Sequence, residues 1–253
     1  MKINVATGLT DRLTNINDII VPPQLRRRYP SGIDFFDAAL GGIDDVNGFA
    51  PSAVAMLTGT PGAGKTTLLL QLADGLAGQG YNVLYNTGEE SLFQVKMVTE
   101  RLGLTNPFFV GESTMVTDVL DHADHIRAGD PDKPFFLLQD SLQTLDDGKY
   151  TNFTNGNTPV RCVEMLTQWA KKTFATVLFI GQVNKDGDFQ GKNGILHTVD
   201  IRAGLRIDTN KKSETYGQRL LEITKSRYGT GPNAVLGMSR EGLYKTGEFW
   251  GLA

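Results

Sequence analysis

The sequence predicts an α/β domain built on a mainly parallel central sheet, flanked by helices, with antiparallel strands added at its C-terminal edge. Three observations carry this. From Ala53 onward, short apolar runs of strand character (AVAMLTG, YNVLYNT, PFFVG, PFFLLQD, ATVLFIG) alternate with helical patterns (LLLQLADGLAG, SLFQVKMVTERLG, VTDVLDHADHIRAG, VRCVEMLTQWAKK). Strand and helix in alternation build a parallel sheet through right-handed crossovers. A glycine-rich loop joins the first of these strands to the first helix. Beyond Gly181 the pattern changes to the polar stretch NKDGDFQGKNG and then to HTVDIRAGLRID, QRLLEIT and AVLGMS, strand-like segments joined by short turns.

Composition bounds the function classes. A chain of 253 residues with 40% hydrophobic and 21% charged content can bury the core of one domain, two at most. Lys and Arg total 25 against 28 for Asp and Glu, a formal charge of −3, so a histone-like role is excluded and nucleic acid must be met by a local patch. No apolar run approaches the ~18 residues of a membrane span, and the start MKINVATGLTDRLTN lacks a signal-peptide layout. The single cysteine, Cys162, excludes intrachain disulfides and a cysteine-based zinc knuckle. A soluble, cytoplasmic protein is expected.

Taken in order, the first 30 residues carry Pro22, Pro23 and Pro30 around Arg26, Arg27 and Arg28 and read as an extended arm lying on its own surface or a neighbour's. Residues 31–253 form the core domain. The strand Ala53–Leu57 precedes the glycine-rich loop, and the helical run Leu68–Leu76 follows it. After Ser91, Leu92, Val95, Val98 and Leu102 recur at helical spacing and are assigned to a core-facing side. His122 and His125, beside Asp121 and Asp124, stand opposite an apolar face of Val116, Val119, Leu120, Ala123 and Ile126, which favours solvent over a metal site. Trp169 follows Val163 and Leu166 at helical spacing and reads as core.

The loop Gly59-Thr60-Pro61-Gly62-Ala63-Gly64-Lys65-Thr66 matches G-x-x-x-x-G-K-[ST] in full, between strand and helix as the motif requires. With Thr67 it forms the candidate nucleotide-binding set. Its glycines let successive backbone N–H groups turn inward around a β-phosphate, and the following helix adds its positive end. Lys65 would bridge β- and γ-phosphates, and the Thr66 hydroxyl would ligate Mg²⁺. Glu89 and Glu90 close the second strand, where one carboxylate can polarise water beside another that hydrogen-bonds or helps to hold the metal. The alternative is an acidic helix start that favours the dipole. The apolar strand Pro134–Gln139 ends in Asp140, placed to reach Mg²⁺ through water.

From Ser31 to about Tyr244 the chain resembles the ATPase core of the RadA/Sms family, RecA-superfamily proteins of bacterial recombination. The stretches that carry the likeness are SGIDFFDAALGG, MLTGTPGAGKTTLLLQLA, LYNTGEESLFQVKMVTERLGL, FFLLQDSLQTL, VNKDGDFQGKNGILHTVD, and KSRYG followed by GMSREGLY. The resemblance implies a RecA-like P-loop NTPase fold and ATP hydrolysis with Mg²⁺. It makes Glu89 the catalytic carboxylate, Gln182 the γ-phosphate sensor, and Lys225 with Arg227 a pair acting on a neighbouring subunit's nucleotide. Strand alternation places positions 225 and 227 on one face. The four-cysteine zinc module and Lon-like domain that flank this core in family members have no counterpart here, and a core-only, phage-encoded member is the expectation.

Single-stranded DNA is the expected macromolecular partner, with homo-oligomerisation into a ring or filament. The loop from Lys185 to Asn193, with Lys185 and Lys192, sits where RecA-like proteins keep a mobile DNA-contacting loop. Lys149, Tyr150 and Phe153 in GKYTNFTNGN offer aromatic faces and a cation to bases and phosphates. Both loops also read as plain polar turns. Asn184-Lys185-Asp186-Gly187 lacks the Asp of N-K-x-D at its fourth place, which argues against guanine specificity. Two other functions fit the same residues: a KaiC-like signalling ATPase without a DNA role, and an ATP-dependent recombination mediator or scaffold.

Overall fold

The computed structural model describes residues 14–150, 154–182 and 193–250. In chain order its elements are α1 (Asp34–Leu40), β1 (Gly42–Ile43), β2 (Val46–Asn47), β3 (Val54–Gly59), α2 (Lys65–Gly78), β4 (Asn82–Thr87), α3 (Leu92–Leu102), β5 (Phe109–Gly111), α4 (Val116–Gly129), β6 (Phe135–Asp140), α5 (Thr158–Thr173), β7 (Thr176–Gln182), α6 (Asn193–Thr198), β8 (Ile201–Ile207), β9 (Arg219–Ser226), β10 (Asn233–Ser239) and β11 (Gly242–Phe249). β1 and β2 form a hairpin of their own.

One nine-stranded sheet organises the domain, in the order β11-β10-β9-β8-β3-β7-β6-β4-β5. From β8 across to β5 every neighbouring pair is parallel, whereas β8–β9, β9–β10 and β10–β11 are antiparallel. The expected fold class is therefore the observed one. Alternation along each central strand feeds two cores, one on each face. Ala55 and Leu57 of β3, with Phe136 and Leu138 of β6, pack with α1, α2 and α3. Val54 and Met56, with Phe135 and Leu137, pack with α4 and α5. Because both faces are covered, these strands read as unbroken apolar runs.

The parallel register also sets up the site. β3, β4, β6 and β7 all end at the same edge of the sheet, so their C-terminal residues Gly59, Thr87, Asp140 and Gln182 are delivered to one crevice. Tyr29 pairs antiparallel with Phe49, joining the N-terminal segment to the core. Before it lie two short 3₁₀ turns, Ile16–Asp18 and Pro23–Arg26, with no buried residue.

Four local expectations need correction or addition. Leu92, assigned to the core face of its helix, is exposed, and the buried side carries Val95, Thr99 and Leu102 instead. It is the first residue after the Ser91 cap, where the chain has only begun to lie along the sheet. His197 and Thr198, read as the start of a strand, end helix α6, because Val199 and Asp200 form the turn into β8. Helix α1 and strand β11 were not foreseen. α1 is too short for a clear period, and β11 is recognisable only through its pairing with β10.

Candidate nucleotide site

Three glycines build the loop between β3 and α2. A Cβ on Gly59 would run into the Leu205 carbonyl oxygen of β8, so the loop leaves the sheet with backbone against backbone. Gly62 has φ +77 and nothing within 4 Å of where a Cβ would be, so this part of the loop opens outward. Gly64 caps α2 from the left-handed region at φ 105. These are conformations and clearances that side chains rarely tolerate. The first turn of α2 thereby aims unpaired N–H groups at the cradle that Gly59, Thr60, Pro61, Gly62, Ala63 and Gly64 enclose.

Lys65 folds back over this loop and donates to the Gly59 carbonyl at 2.8 Å and the Thr60 carbonyl at 3.2 Å. Burial pulls its ammonium below the ordinary lysine range, and the carboxylates of Asp140 and Glu89 oppose that shift. Thr66 donates its hydroxyl to Asp140 Oδ2 at 2.6 Å. Thr67, half-buried, follows in the same turn. Asp140 is buried and also accepts from the Tyr85 hydroxyl at 3.3 Å. Burial pushes its carboxyl above the usual range, although the Thr66 hydrogen bond works against this.

Glu89 is exposed at the crevice, and its Oε1 accepts from Ser141 Oγ at 2.7 Å and from Gln182 Nε2 at 3.0 Å. The Gln182 backbone N–H in turn donates to Gln143 Oε1 at 3.3 Å. Thr87 Oγ1 accepts the N–H groups of Glu89 and Glu90 at 3.3 and 3.1 Å, which fixes the turn that carries both carboxylates. Ser91 and Gln94 then form a capping box for α3. The acidic pair and the helix cap, weighed as alternatives from sequence, are thus both present.

Donor chemistry suits a nucleotide with a hard divalent cation. Thr66 and Asp140 present a hydroxyl and a carboxylate side by side, the oxygen ligands such an ion takes. Glu90 Oε2 and Gln143 Nε2 are buried with no partner among the described residues, so the crevice holds polar capacity that the chain leaves unused.

The structure therefore brings Lys65, Thr66, Glu89, Glu90, Asp140 and Gln182 together. Ser141, Gln143, Tyr85 and Thr87 also belong to the network. The signal for three of them was position, since Ser141 directly follows Asp140, Gln143 stands three residues after it, and Thr87 directly precedes the Gly-Glu-Glu turn.

Lys225 and Arg227 lie elsewhere in the chain, by the far end of β9, which runs antiparallel to β8. Lys225 Nζ donates to the carbonyls of Leu196, His197 and Val199 at 3.0, 3.2 and 2.7 Å, and so closes the C-terminal end of α6. Arg227 pairs with the buried carboxylate of Asp200 at 2.9 Å, while its side chain stays 52% exposed. Both cations meet the same segment, in agreement with the same-face alternation.

Lys149 and Tyr150 follow the pair formed by Arg161 and Asp147. The Lys149 ammonium and the Arg161 guanidinium sit 5.8 and 5.6 Å from the Tyr150 ring centre. Phe153, Lys185 and Lys192 lie outside the described residues. His122 and His125 are exposed, and no cluster of metal-ligand type is found among the described residues. Trp169 is core, stacked edge-on against Phe135, with its Nε1 donating to Asp124 at 3.0 Å. Among the described residues no helix is long and apolar enough to cross a membrane.

Residues 44–188 match a family model described as an AAA domain. The chain is 33% identical over 216 residues to the DNA repair protein RadA of Mycolicibacterium smegmatis, an alignment covering 83% of this chain and 43% of that protein. It is likewise 33% identical to RadA of Haemophilus influenzae, over 85% of this chain and 44% of the relative. The chain thus spans less than half the length of these curated relatives. Among solved structures, a DnaB-like replicative helicase superposes with a TM-score of 0.71 at 15% identity, covering 83% of this chain and 59% of that one. A KaiC-like protein from Pyrococcus horikoshii superposes with a TM-score of 0.66 at 17% identity, covering 87% and 99%. Family model, relatives and fold agree with the geometry of the crevice: the chain belongs to the AAA domain family, is similar in sequence to RadA proteins, and has a P-loop domain of RecA-like fold.

Proposed function

We propose that the chain hydrolyses ATP with Mg²⁺, assembles head-to-tail with ATP at subunit interfaces, and acts on single-stranded DNA in recombination, repair or replication in the cytoplasm. The observation that carries the reading is the hydrogen-bonded chain Gln182–Glu89–Ser141 facing the phosphate loop. The loop N–H groups and Lys65 hold the β- and γ-phosphates, the ammonium exchanging the Gly59 and Thr60 carbonyls for phosphate oxygens. Thr66 and Asp140 would hold Mg²⁺, which when bound supplies charge neutralisation at the phosphates. Glu89, held by Gln182 and Ser141, orients and polarises the attacking water; Glu90 assists as the second carboxylate. Gln182 links the γ-phosphate region to the segment that follows β7, and so to the DNA-contacting loop with Lys185 and Lys192. Lys149, Tyr150 and Phe153 provide a second contact. Lys225 and Arg227 act in trans, exchanging contacts within their own subunit for the next subunit's γ-phosphate. Residues 31–253 serve as the ATPase core, and residues 1–30 as an arm that contacts a neighbour.

Similarity to RadA proteins, which are DNA repair proteins, favours the DNA reading. The fold likeness to a KaiC-like protein keeps a signalling ATPase as the second reading. Hydrolysis measured with and without single-stranded DNA across a salt series separates the two. Stimulation by DNA is expected, with log K for binding falling by about 0.7 per phosphate neutralised and a flatter slope when Lys185 and Lys192 are replaced together. Turnover indifferent to DNA, with no binding in the presence of ATP, would favour the second reading instead.

A further inference from the structure

Two apolar features lie at opposite ends of the sheet, each bordering one half of the proposed shared site. At the phosphate end, directly after Glu89 and Glu90, the first turns of α3 expose Phe93 at 82% and Met97 at 69%, with Leu92 at 40%. Phe93 and Met97 are four residues apart, so they share one helix face. Exposed aromatic and methionine side chains grouped in this way mark contact surfaces.

At the other end a groove of about 530 Å³ has walls of Leu25, Ile43, Pro51, Phe174 and Tyr228. Its position follows from the topology. Pro51 lies just before β3, Phe174 just before β7, and Tyr228 just after β9, all at the edge away from the phosphate loop. Arg28 and Lys171 border it, and neither forms an ion pair with a carboxylate among the described residues. The Arg28 guanidinium instead lies 5.6 Å from the Tyr228 ring centre. The α3 face is framed by Glu89, Glu90 and Glu100, the last paired with Lys96 on its own helix. Each patch is thus apolar at its centre, the α3 face bordered by the Glu89 and Glu90 carboxylates and the Lys96–Glu100 pair, and the groove by two cations without a carboxylate partner among the described residues.

We infer that Phe93 and Met97 of one copy seat in the Leu25–Ile43–Phe174–Tyr228 groove of the next copy, as the apolar centre of a heterologous contact. This rests on the head-to-tail reading above. Tyr228 adjoins Arg227, and Phe93 lies four residues from Glu89. Seating the helix in the groove therefore brings the cation pair of one copy to the catalytic carboxylate of the other. Contacts of this type close into a ring or continue as a filament.

Two variants test it in the full chain. Phe93 is exposed, so Phe93→Glu should fold, as circular dichroism can verify. By analytical ultracentrifugation with a non-hydrolysable ATP analogue and Mg²⁺, it should assemble only at a concentration about tenfold or more above wild type, while Phe93→Leu stays near wild type. Second, Met97→Cys combined with Ile43→Cys should give a ladder of multimers with a bismaleimide, and either single substitution should not. The native Cys162 is buried with its thiol pushed up to about 12, so it stays silent. Assembly of Phe93→Glu at the wild-type concentration overturns the assignment. So does assembly without the ladder, the result expected if another protein or another part of the chain fills the groove. If Arg227→Ala and Lys65→Ala recover activity on mixing in that case, head-to-tail assembly stands and only this contact is wrong. A wild-type chain that stays monomeric with nucleotide overturns both.

Discussion

Lys65 and Lys225 each bring an ammonium group onto backbone carbonyl oxygens, the one over the phosphate loop and the other at the opposite end of the sheet. Burial pulls both below the ordinary lysine range. Their charged neighbours differ. Asp140 and Glu89 draw the Lys65 cation into the crevice, whereas Arg227 and Arg202 add to the lowering at Lys225 and only Asp200 opposes it. Lys65 holds two carbonyls of a loop that opens outward, so exchanging partners costs little structure. Lys225 holds three carbonyls at the end of α6 and is already satisfied within its own chain. The comparison teaches that one cation lies over an open loop within its own fold, while the other is satisfied by its own chain, so that the proposed action in trans requires a second subunit to draw it away.

The largest effect expected is at Lys65. Lys65→Ala should abolish ATP hydrolysis with an unchanged circular dichroism spectrum, since it removes the cation facing the β- and γ-phosphates and no core atom. Full turnover would break the comparison at its first term. Next comes Arg227→Ala, expected to lower the rate by about 10³–10⁵, as loss of an arginine finger does. Mixed with Lys65→Ala, it should regain part of the activity, because some interfaces then join an intact loop to an intact finger. No recovery at any ratio, despite proven co-assembly, would mean that Arg227 does not act in trans and that the shared-site mechanism is wrong.

Glu89→Gln should lower turnover by about 10²–10⁴ while ATP binding persists, because a neutral amide cannot take the proton of the attacking water. If Glu90→Gln stalls turnover and Glu89→Gln does not, the two carboxylates exchange roles. The smallest effect separates the lysines by stability. Lys225→Met removes the ammonium from the carbonyls of Leu196, His197 and Val199 and should cost about 1–2 kcal/mol in chemical denaturation. Lys65→Met should cost less, since its carbonyls border an open crevice. Equal losses would mean that Lys65 is as much a structural cap as Lys225.

The phosphate loop could be found from local chemistry alone, because its glycines, lysine and hydroxyl stand at fixed spacing between a strand and a helix, and Asp140 gained weight only from following that loop. Both faces of β3 and β6 are buried, and their unbroken apolar runs announced a parallel sheet for the same reason. Leu92 was misread because helical spacing gives a direction only relative to a sheet, and the entry of α3 from the Ser91 cap decides which residues reach it.

Sequence by itself determined the fold class, the loop that would receive phosphate, and the residue types at the strand ends, since these depend on short-range periodicity and backbone conformation. Only the tertiary structure decided that Glu89 is held by both Ser141 and Gln182, residues 52 and 93 positions away in the chain. It alone decided that Lys225 and Arg227 are engaged with α6 and Asp200 in their own chain, and that Phe93 faces solvent at one end of the sheet while an apolar groove opens at the other. These are contacts between residues distant in sequence, fixed by which strands lie side by side, and the spacing of residues along one segment carries no record of its neighbours.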